Sequence, residues 1–281
     1  MTRTPAPTIA LNDGTALPRI GFGTYQLNGS SGVRAVQDAI ANGYRLIDSA
    51  FSYENEGAVG EAVRRSRIPR AELLITSKLR GRHHGFDEAI ATVEESVYRF
   101  GLEYIDLYLI HWPNPGRDRY VEAWAGLVEA RRRGLVRSIG VSNFLPEHID
   151  RLVRETGVTP AVNQIEMHPY FPQDEQRIHD AGRGIVTEAW SPMGRGPELL
   201  EEPVITAVAE RVGRTAAQVI LRWQTQLGAV PLPKSANPSR QRENLAVFDF
   251  ELSSRDLADI ATLARPDGRI WHQDPATYEE F

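Results

Sequence analysis

Four side chains, Asp48, Tyr53, Lys78 and His111, carry chemistry that makes sense as a unit. A phenol ionises near pH ~10 and is a poor acid at neutral pH. A nearby ammonium favours the phenolate, and a carboxylate can hold that ammonium in place. A tyrosine tuned in this way is a general acid for a carbonyl oxygen becoming an alkoxide. His111 would orient the same oxygen by a hydrogen bond. Lys78 is a conspicuous choice, because 30 of the 32 basic residues are arginine and only Lys78 and Lys234 are lysine. A compact ammonium on a flexible stem acts as a point charge, which a guanidinium fork does not.

None of these four groups supplies a hydride, so a cofactor is needed. Asn143 and Gln164 could hold a carboxamide, and Trp190 offers a flat face for a pyridine ring. The segment "PKSANPSRQREN" (233–244) reads as a helix start at Asn237-Pro238, with Lys234, Ser235 and Arg240 around it. A helix N-terminus flanked by cations is an anion site. This one suits a phosphate monoester such as the 2′-phosphate of NADPH, with NADH the weaker alternative.

The positioning elements follow from the rhythm of the chain. "TIALNDGTALPRIG" (8–21) reads as a hairpin about Asp13-Gly14. Eight short strand-like runs come next: "IGFGTY" (20–25), "YRLIDS" (44–49), "ELLITSK" (72–78), "YIDLYLIH" (104–111), "VRSIGVSN" (136–143), "PAVNQIE" (160–166), "GIVTEAW" (184–190) and "GAVPLPK" (228–234). Between them lie segments with helical spacing, such as Val59/Ala62/Val63, Ile90/Val93/Val97 and Trp124/Leu127/Val128. Gly43, Gly101, Gly134, Gly157 and Gly182 are placed to stop helices, and Pro146, Pro203 and Pro238 to open them. Eight strands alternating with helices predict an α/β fold, a single (β/α)₈ TIM barrel filling one domain over residues 1–281. The hairpin would close its bottom, an extra helix is expected near 215–227, and a tail, "RIWHQDPATYEEF", would follow. A doubly wound sheet would want an early GxGxxG fingerprint, and "GFGTYQ" lacks its third glycine. In a barrel the C-terminal strand ends converge on one face. That face would gather Asp48, Lys78, His111, Asn143, Gln164, Glu166, Trp190 and Lys234, with Tyr53 in the loop after Asp48.

Composition narrows the alternatives. A net charge of −5 gives no sign of nucleic acid or an anionic membrane as partner. No apolar run reaches the ~18 residues of a membrane span, and "MTRTPAPTIALNDG" lacks a signal peptide's apolar core. The absence of cysteine removes disulfides, thiolate nucleophiles and thiolate-bound metal. A cytoplasmic protein with a small-molecule substrate and no metal is expected. A glycosidase would use two strand-end carboxylates, for which Glu166 and Glu188 are candidates. Strand alternation, however, puts Glu188 on the side of Trp190 and deeper, as a structural partner. A metal-dependent hydrolase would need converging ligands, and His83-His84 and His168 lie in separate segments. A cofactor-binding sensor on the same barrel is the non-enzymatic alternative.

The chain resembles the aldo-keto reductases. The resemblance rests on "GYRLIDSAFSYENEGAVGEAV" (43–63), "DLYLIHWP" (106–113) and "PLPKSANPSRQREN" (231–244), with "SIGVSNF", "NQIEMHPY" and "EAWSPMG" in order between the last two. It is nearest the prokaryotic branch that includes the 2,5-diketo-gluconate reductases, partly because Trp190 stands where many relatives carry tyrosine. The resemblance implies a monomeric barrel that binds NADPH extended and reduces aldehydes or ketones, dicarbonyls and keto-sugar acids among them. It implies Tyr53 as proton donor, Lys78 and Asp48 as its ion-paired partners and His111 as orienter of the carbonyl. Nicotinamide contacts fall to Ser142, Asn143, Gln164 and Trp190, and pyrophosphate contacts to the 191–196 loop with Ser191, Met193 and Gly194. The 2′-phosphate falls to Lys234, Ser235 and Arg240, and adenine to Glu243 and Asn244. The substrate pocket is expected from Tyr25, Phe51, Ser52, Arg80, Trp112 and Trp271. Arg80 replaces a tryptophan common in relatives, which predicts a wider pocket or one favouring acids.

Overall fold

The computed structural model describes residues 6–281. The hairpin forms first, with β1 (Thr8–Ala10) antiparallel to β2 (Ala16–Pro18). Gly14 takes the positive φ of 89° that the tight turn demands. Asp13 fastens the turn to the barrel floor, accepting hydrogen bonds from Thr15 N at 3.0 Å and Ser138 Oγ at 2.7 Å.

Eight parallel strands follow in sequential order: β3 (Phe22–Gly23), β4 (Leu46–Asp48), β5 (Leu74–Leu79), β6 (Ile105–Ile110), β7 (Val136–Ser142), β8 (Val162–Glu166), β9 (Val186–Trp190) and β10 (Val230–Pro231). Two backbone hydrogen bonds join the first of these to the last, Gly21 N to Pro231 O at 3.0 Å and Gly23 N to Pro233 O at 3.1 Å. The sheet therefore closes on itself as a (β/α)₈ barrel. The seam is tight, since a Cβ on Gly21 would lie 2.4 Å from the Leu232 side chain.

Strand alternation sorts the side chains. Leu107 and Leu109 point into the barrel with Leu46, Leu74, Val162 and Val230, and the hairpin's Leu11 and Leu17 plug the same cluster from below. Tyr108 and Ile110 face outward, into the layer shared with Val59, Val93, Trp124 and the other apolar helix residues. Each fully buried leucine or valine contributes about 1.5–3 kcal/mol over exposure, so the register of every strand is firmly set.

The helices mostly start and stop where expected. Gly43, Gly101 and Gly157 are left-handed C-caps, and Pro146, Pro203 and Pro238 sit in first turns. Gly134 has a φ of 80° just beyond its helix. Gly182 does not stop its helix: the residue belongs to Asp174–Gly182, and Gly184, with a φ of 68°, makes the left-handed turn instead. The helix expected near 215–227 runs Ala216–Gln226. Beyond the helix Ser254–Ala261, the tail crosses back over the C-terminal face of the barrel.

Candidate active site

Asp48 is the last residue of β4, Lys78 the penultimate residue of β5, and His111 follows β6 directly. Tyr53 closes a single 3₁₀ turn, Phe51–Tyr53, just after β4. Asp48, Tyr53 and His111 line a cavity of about 480 Å³ that Lys234 also lines, while Lys78 lies behind its wall.

Lys78 has no solvent exposure. Its Nζ donates to Asp48 Oδ1 at 2.7 Å, Asp48 Oδ2 at 2.8 Å and the Ser49 carbonyl at 2.8 Å. Burial works against this ammonium, but the Asp48 carboxylate outweighs it and holds the Lys78 pKa above its ordinary value. The same Nζ lies 5.0 Å from the centre of the Tyr53 ring. Sequence reasoning expected the lysine to lower the phenol's pKa. In the structure burial is the larger effect and pushes Tyr53 upward, with Lys78 offsetting only part of it. Tyr53 therefore holds its proton at neutral pH, as a donor must.

A second layer lies under the ion pair. Gln164 Nε2 donates to Asp48 Oδ1 at 2.9 Å and to Glu188 Oε2 at 2.8 Å. This commits the amide nitrogen and leaves Gln164 Oε1 as the atom that can accept from a carboxamide. Burial, then the Asp48 charge, push Glu188 up to about 8. Glu188 is thus protonated at neutral pH, and Asp48 remains the single anion paired with Lys78. Glu166 is also occupied, its Oε1 2.9 Å from His168 Nε2 and accepting from Ile270 N at 2.6 Å. Neither glutamate lines the cavity, so the two-carboxylate arrangement of a glycosidase is not formed.

His111 is gripped on three sides. Its backbone N–H donates to the Leu79 carbonyl at 3.0 Å, and its own carbonyl accepts from Asn143 Nδ2 at 2.9 Å. Its ring stands edge-on to Tyr53 with centroids 5.9 Å apart. Its Nδ1 lies 2.7 Å from Glu280 Oε1, a tail residue that sequence reasoning missed because no motif surrounds it.

Along the groove, Asn143 adopts a left-handed backbone with φ 61° and accepts from Trp190 Nε1 at 2.8 Å, which fixes the indole as a wall. Ser142 Oγ donates to the Gln164 carbonyl at 2.8 Å. Ser191, Met193 and Gly194 line the cavity in the loop after β9. Arg195, within the loop assigned to the pyrophosphate but not singled out there, stacks 3.6 Å over Trp271 and 5.3 Å from Tyr25, bridging the groove. At the far end Lys234 and Arg240 are exposed. Asn237 caps the helix Pro238–Leu245 by accepting from Ser239 N at 2.8 Å and Arg240 N at 3.4 Å, so two of the expected anion-binding amides are already used. Ser235 Oγ accepts from Asn237 N at 3.1 Å. Glu243 Oε1 accepts from Thr215 at 2.7 Å, and Asn244 is buried beside the Tyr44 hydroxyl.

The substrate end differs from expectation at two residues. Phe51 does not reach the cavity; it is buried with Arg99 3.9 Å over its ring and His83 on its edge. Arg80 does not reach it either, because its guanidinium donates to the Phe281 carbonyl at 3.1 and 2.7 Å. Tyr25, Ser52, Trp112 and Trp271 do line it, joined by Gln273, Tyr278 and Glu280 from the tail.

An acid held over a buried ion pair, at the mouth of a parallel barrel and opening on a groove walled by amides and an indole, is the equipment of a carbonyl-reducing oxidoreductase. The aldo/keto reductase family model matches residues 19–265. The chain is 52% identical over 275 residues to 2,5-diketo-D-gluconic acid reductase B of Corynebacterium sp. (strain SHS752001), covering 98% of this chain and 99% of that one. It superposes on a mutant of Gox0644 in complex with NADPH with a TM-score of 0.93 at 40% identity, covering 98% and 100%. For the Bombyx mori aldo-keto reductase in complex with NADP the TM-score is 0.89 at 35% identity, with 99% of each chain covered. The chain belongs to the aldo/keto reductase family.

Proposed function

We propose that this enzyme reduces aldehydes and ketones to alcohols with NADPH, Tyr53 giving the proton to the carbonyl oxygen. The observation that carries the assignment is Lys78, a fully buried ammonium pinned by Asp48 under the Tyr53 ring. As the phenol gives up its proton, the fixed positive charge stabilises the forming phenolate without reorganisation. His111, locked edge-on to Tyr53, orients the oxygen that receives the proton.

The groove fits a nicotinamide dinucleotide. One cavity is lined by Tyr53, Asn143, Gln164, Trp190 and Lys234 together. Gln164 Oε1 and the Trp190 wall suit a carboxamide ring, Arg195 spans the middle, and Lys234, Ser235 and Arg240 would hold the 2′-phosphate. Glu243 and Asn244 flank the adenine position. When bound, the nicotinamide supplies the hydride to the carbonyl carbon.

The name of the 52% identical relative points to keto-sugar acids as a substrate class, and the aromatic substrate end accommodates aryl aldehydes and dicarbonyls as well. We further place the enzyme in the cytoplasm as a monomer of one domain. No helix among the described residues is long and apolar enough to cross a membrane. The test is NADPH oxidation by wild type and Tyr53→Phe across an aromatic aldehyde, methylglyoxal, an acidic keto-sugar and a neutral ketose. Loss of a positioned general acid costs about 10²–10⁴ in rate, and NADPH affinity should barely change. Arg240→Ala should raise the KM for NADPH more than that for NADH. Equal effects on both cofactors would refute the phosphate assignment.

A further inference from the structure

The tail delivers a carboxylate to the ring that faces the substrate. Glu280 is 9% exposed, and its backbone is clamped on both sides by one asparagine: Asn114 Nδ2 donates to the Glu280 carbonyl at 2.8 Å, and Asn114 Oδ1 accepts from Glu280 N at 3.2 Å. The neighbouring residues add to the clamp. Gly116 N donates to Glu279 Oε1 at 2.6 Å, and Arg80 holds the Phe281 carbonyl. Gly81 donates its N–H to Glu280 Oε2 at 2.9 Å from a cradle with no space for a side chain, since a Cβ there would lie 2.5 Å from the Glu280 carbonyl oxygen. The carboxylate thus arrives in one orientation, with Oε2 spent on the loop and Oε1 2.7 Å from His111 Nδ1. Ser52 Oγ also approaches Nδ1, but only to 3.4 Å.

Burial opposes ionisation of Glu280, yet His111 and the Gly81 amide outweigh it and hold the carboxyl below its ordinary range. An ionised carboxylate has no proton to donate. The proton between the two groups therefore sits on Nδ1, and Nε2 can donate to a carbonyl oxygen only while the ring carries its second proton. The other titratable groups about this pair are Tyr53 across the ring, His84 and Tyr278 beside Glu280, and the Lys78–Asp48 pair beneath Tyr53.

We propose that Glu280 is a positioning residue of the reduction: it accepts a hydrogen bond from His111 Nδ1–H, turns Nε2 toward the carbonyl, and as counter-ion keeps both ring protons in place while substrate is bound. This rests on the reductase reading of the site. Removing the charge while keeping the shape separates the roles: the one oxygen of Glu280→Gln can accept from Gly81 while its NH2 group faces Nδ1 as a donor to a ring nitrogen that has lost its proton, and the backbone clamp is untouched.

The test is ¹⁵N NMR of His111 in the full chain, assigned against His111→Asn, beside pH profiles of kcat. An orienting carboxylate beside a catalytic imidazole can be worth up to about 10⁴ in rate. The expected results are protons on both His111 nitrogens at pH 7 in the wild type and on one in Glu280→Gln. The variant's kcat should fall about tenfold or more at pH 8 and less at pH 6, its alkaline limb moved to lower pH. The KM for NADPH should be unchanged, and Glu280→Asp should recover part of the loss. A singly protonated His111 in the wild type at pH 7 overturns the proposal even if no variant folds. So does a Glu280→Gln enzyme with an unaltered spectrum and pH profile. Turnover surviving in Tyr53→Phe would sink the reductase reading instead, and the His111 spectrum, which needs no turnover, would still decide the contact.

Discussion

Under Lys78 the structure stacks three carboxyl and amide groups, Asp48, Gln164 and Glu188, and keeps just one of them charged. Two anions sharing a buried site repel, and the deeper one takes a proton. The consequence for stability has a definite sign. The Glu188 carboxyl has a pKa of about 8 in the folded chain, well above the ~4.3 of an unfolded one. Its favourable contribution is complete below the unfolded value and is lost as pH rises through the folded one. Glu188→Gln cannot ionise, so between pH 5 and 8 it should gain on wild type by on the order of 1 kcal/mol per pH unit. Urea unfolding midpoints at the two pH values measure this, and parallel curves would contradict it. Much of the residue scale was legible beforehand, because Asp48, Lys78 and His111 lie at or next to strand ends and Gln164 two residues before one, where alternation and barrel geometry fix the side. Glu280 was not legible, since nothing local to "PATYEEF" says which loops it will meet.

Among the elements, the helices Glu56–Arg65 and Phe86–Phe100 pack with Gly60 against the Phe100 carbonyl. A Cβ on Gly60 would fall 1.8 Å from that oxygen. Helix propensity alone would make Gly60→Ala stabilising by about 0.5–1 kcal/mol. The clash predicts the opposite sign, a loss of about 1–3 kcal/mol or more as the helices are forced apart. Chemical denaturation decides between the two, and a stabilised variant would mean that the helices yield freely. The strands were readable as short apolar runs, since they are buried on both faces, and the helices from their apolar spacing and their stops. The short 3₁₀ turn was not: at about 120° per residue it sends Phe51 away from Tyr53, into the Arg99 and His83 contact. The resemblance, which set Phe51 at the pocket mouth, therefore placed it wrongly.

For the molecule as a whole, the barrel and the site are built by different parts of the chain. The barrel closes between Gly21 and Pro231. The substrate end takes Trp271, Gln273, Tyr278 and Glu280 from residues that follow every strand and long helix. A chain lacking residues 270–281 should keep its cooperative unfolding, with Tm lowered by only a few degrees. It should still bind NADPH, and its turnover should fall at least as far as in Glu280→Gln. Calorimetry and cofactor fluorescence would show this, and full turnover in the shortened chain would show the tail to be dispensable. The tail follows all eight barrel strands in the chain. A folded barrel with residues 270–281 undocked would leave His111 without its carboxylate partner, so docking of that segment would be the last step toward full activity.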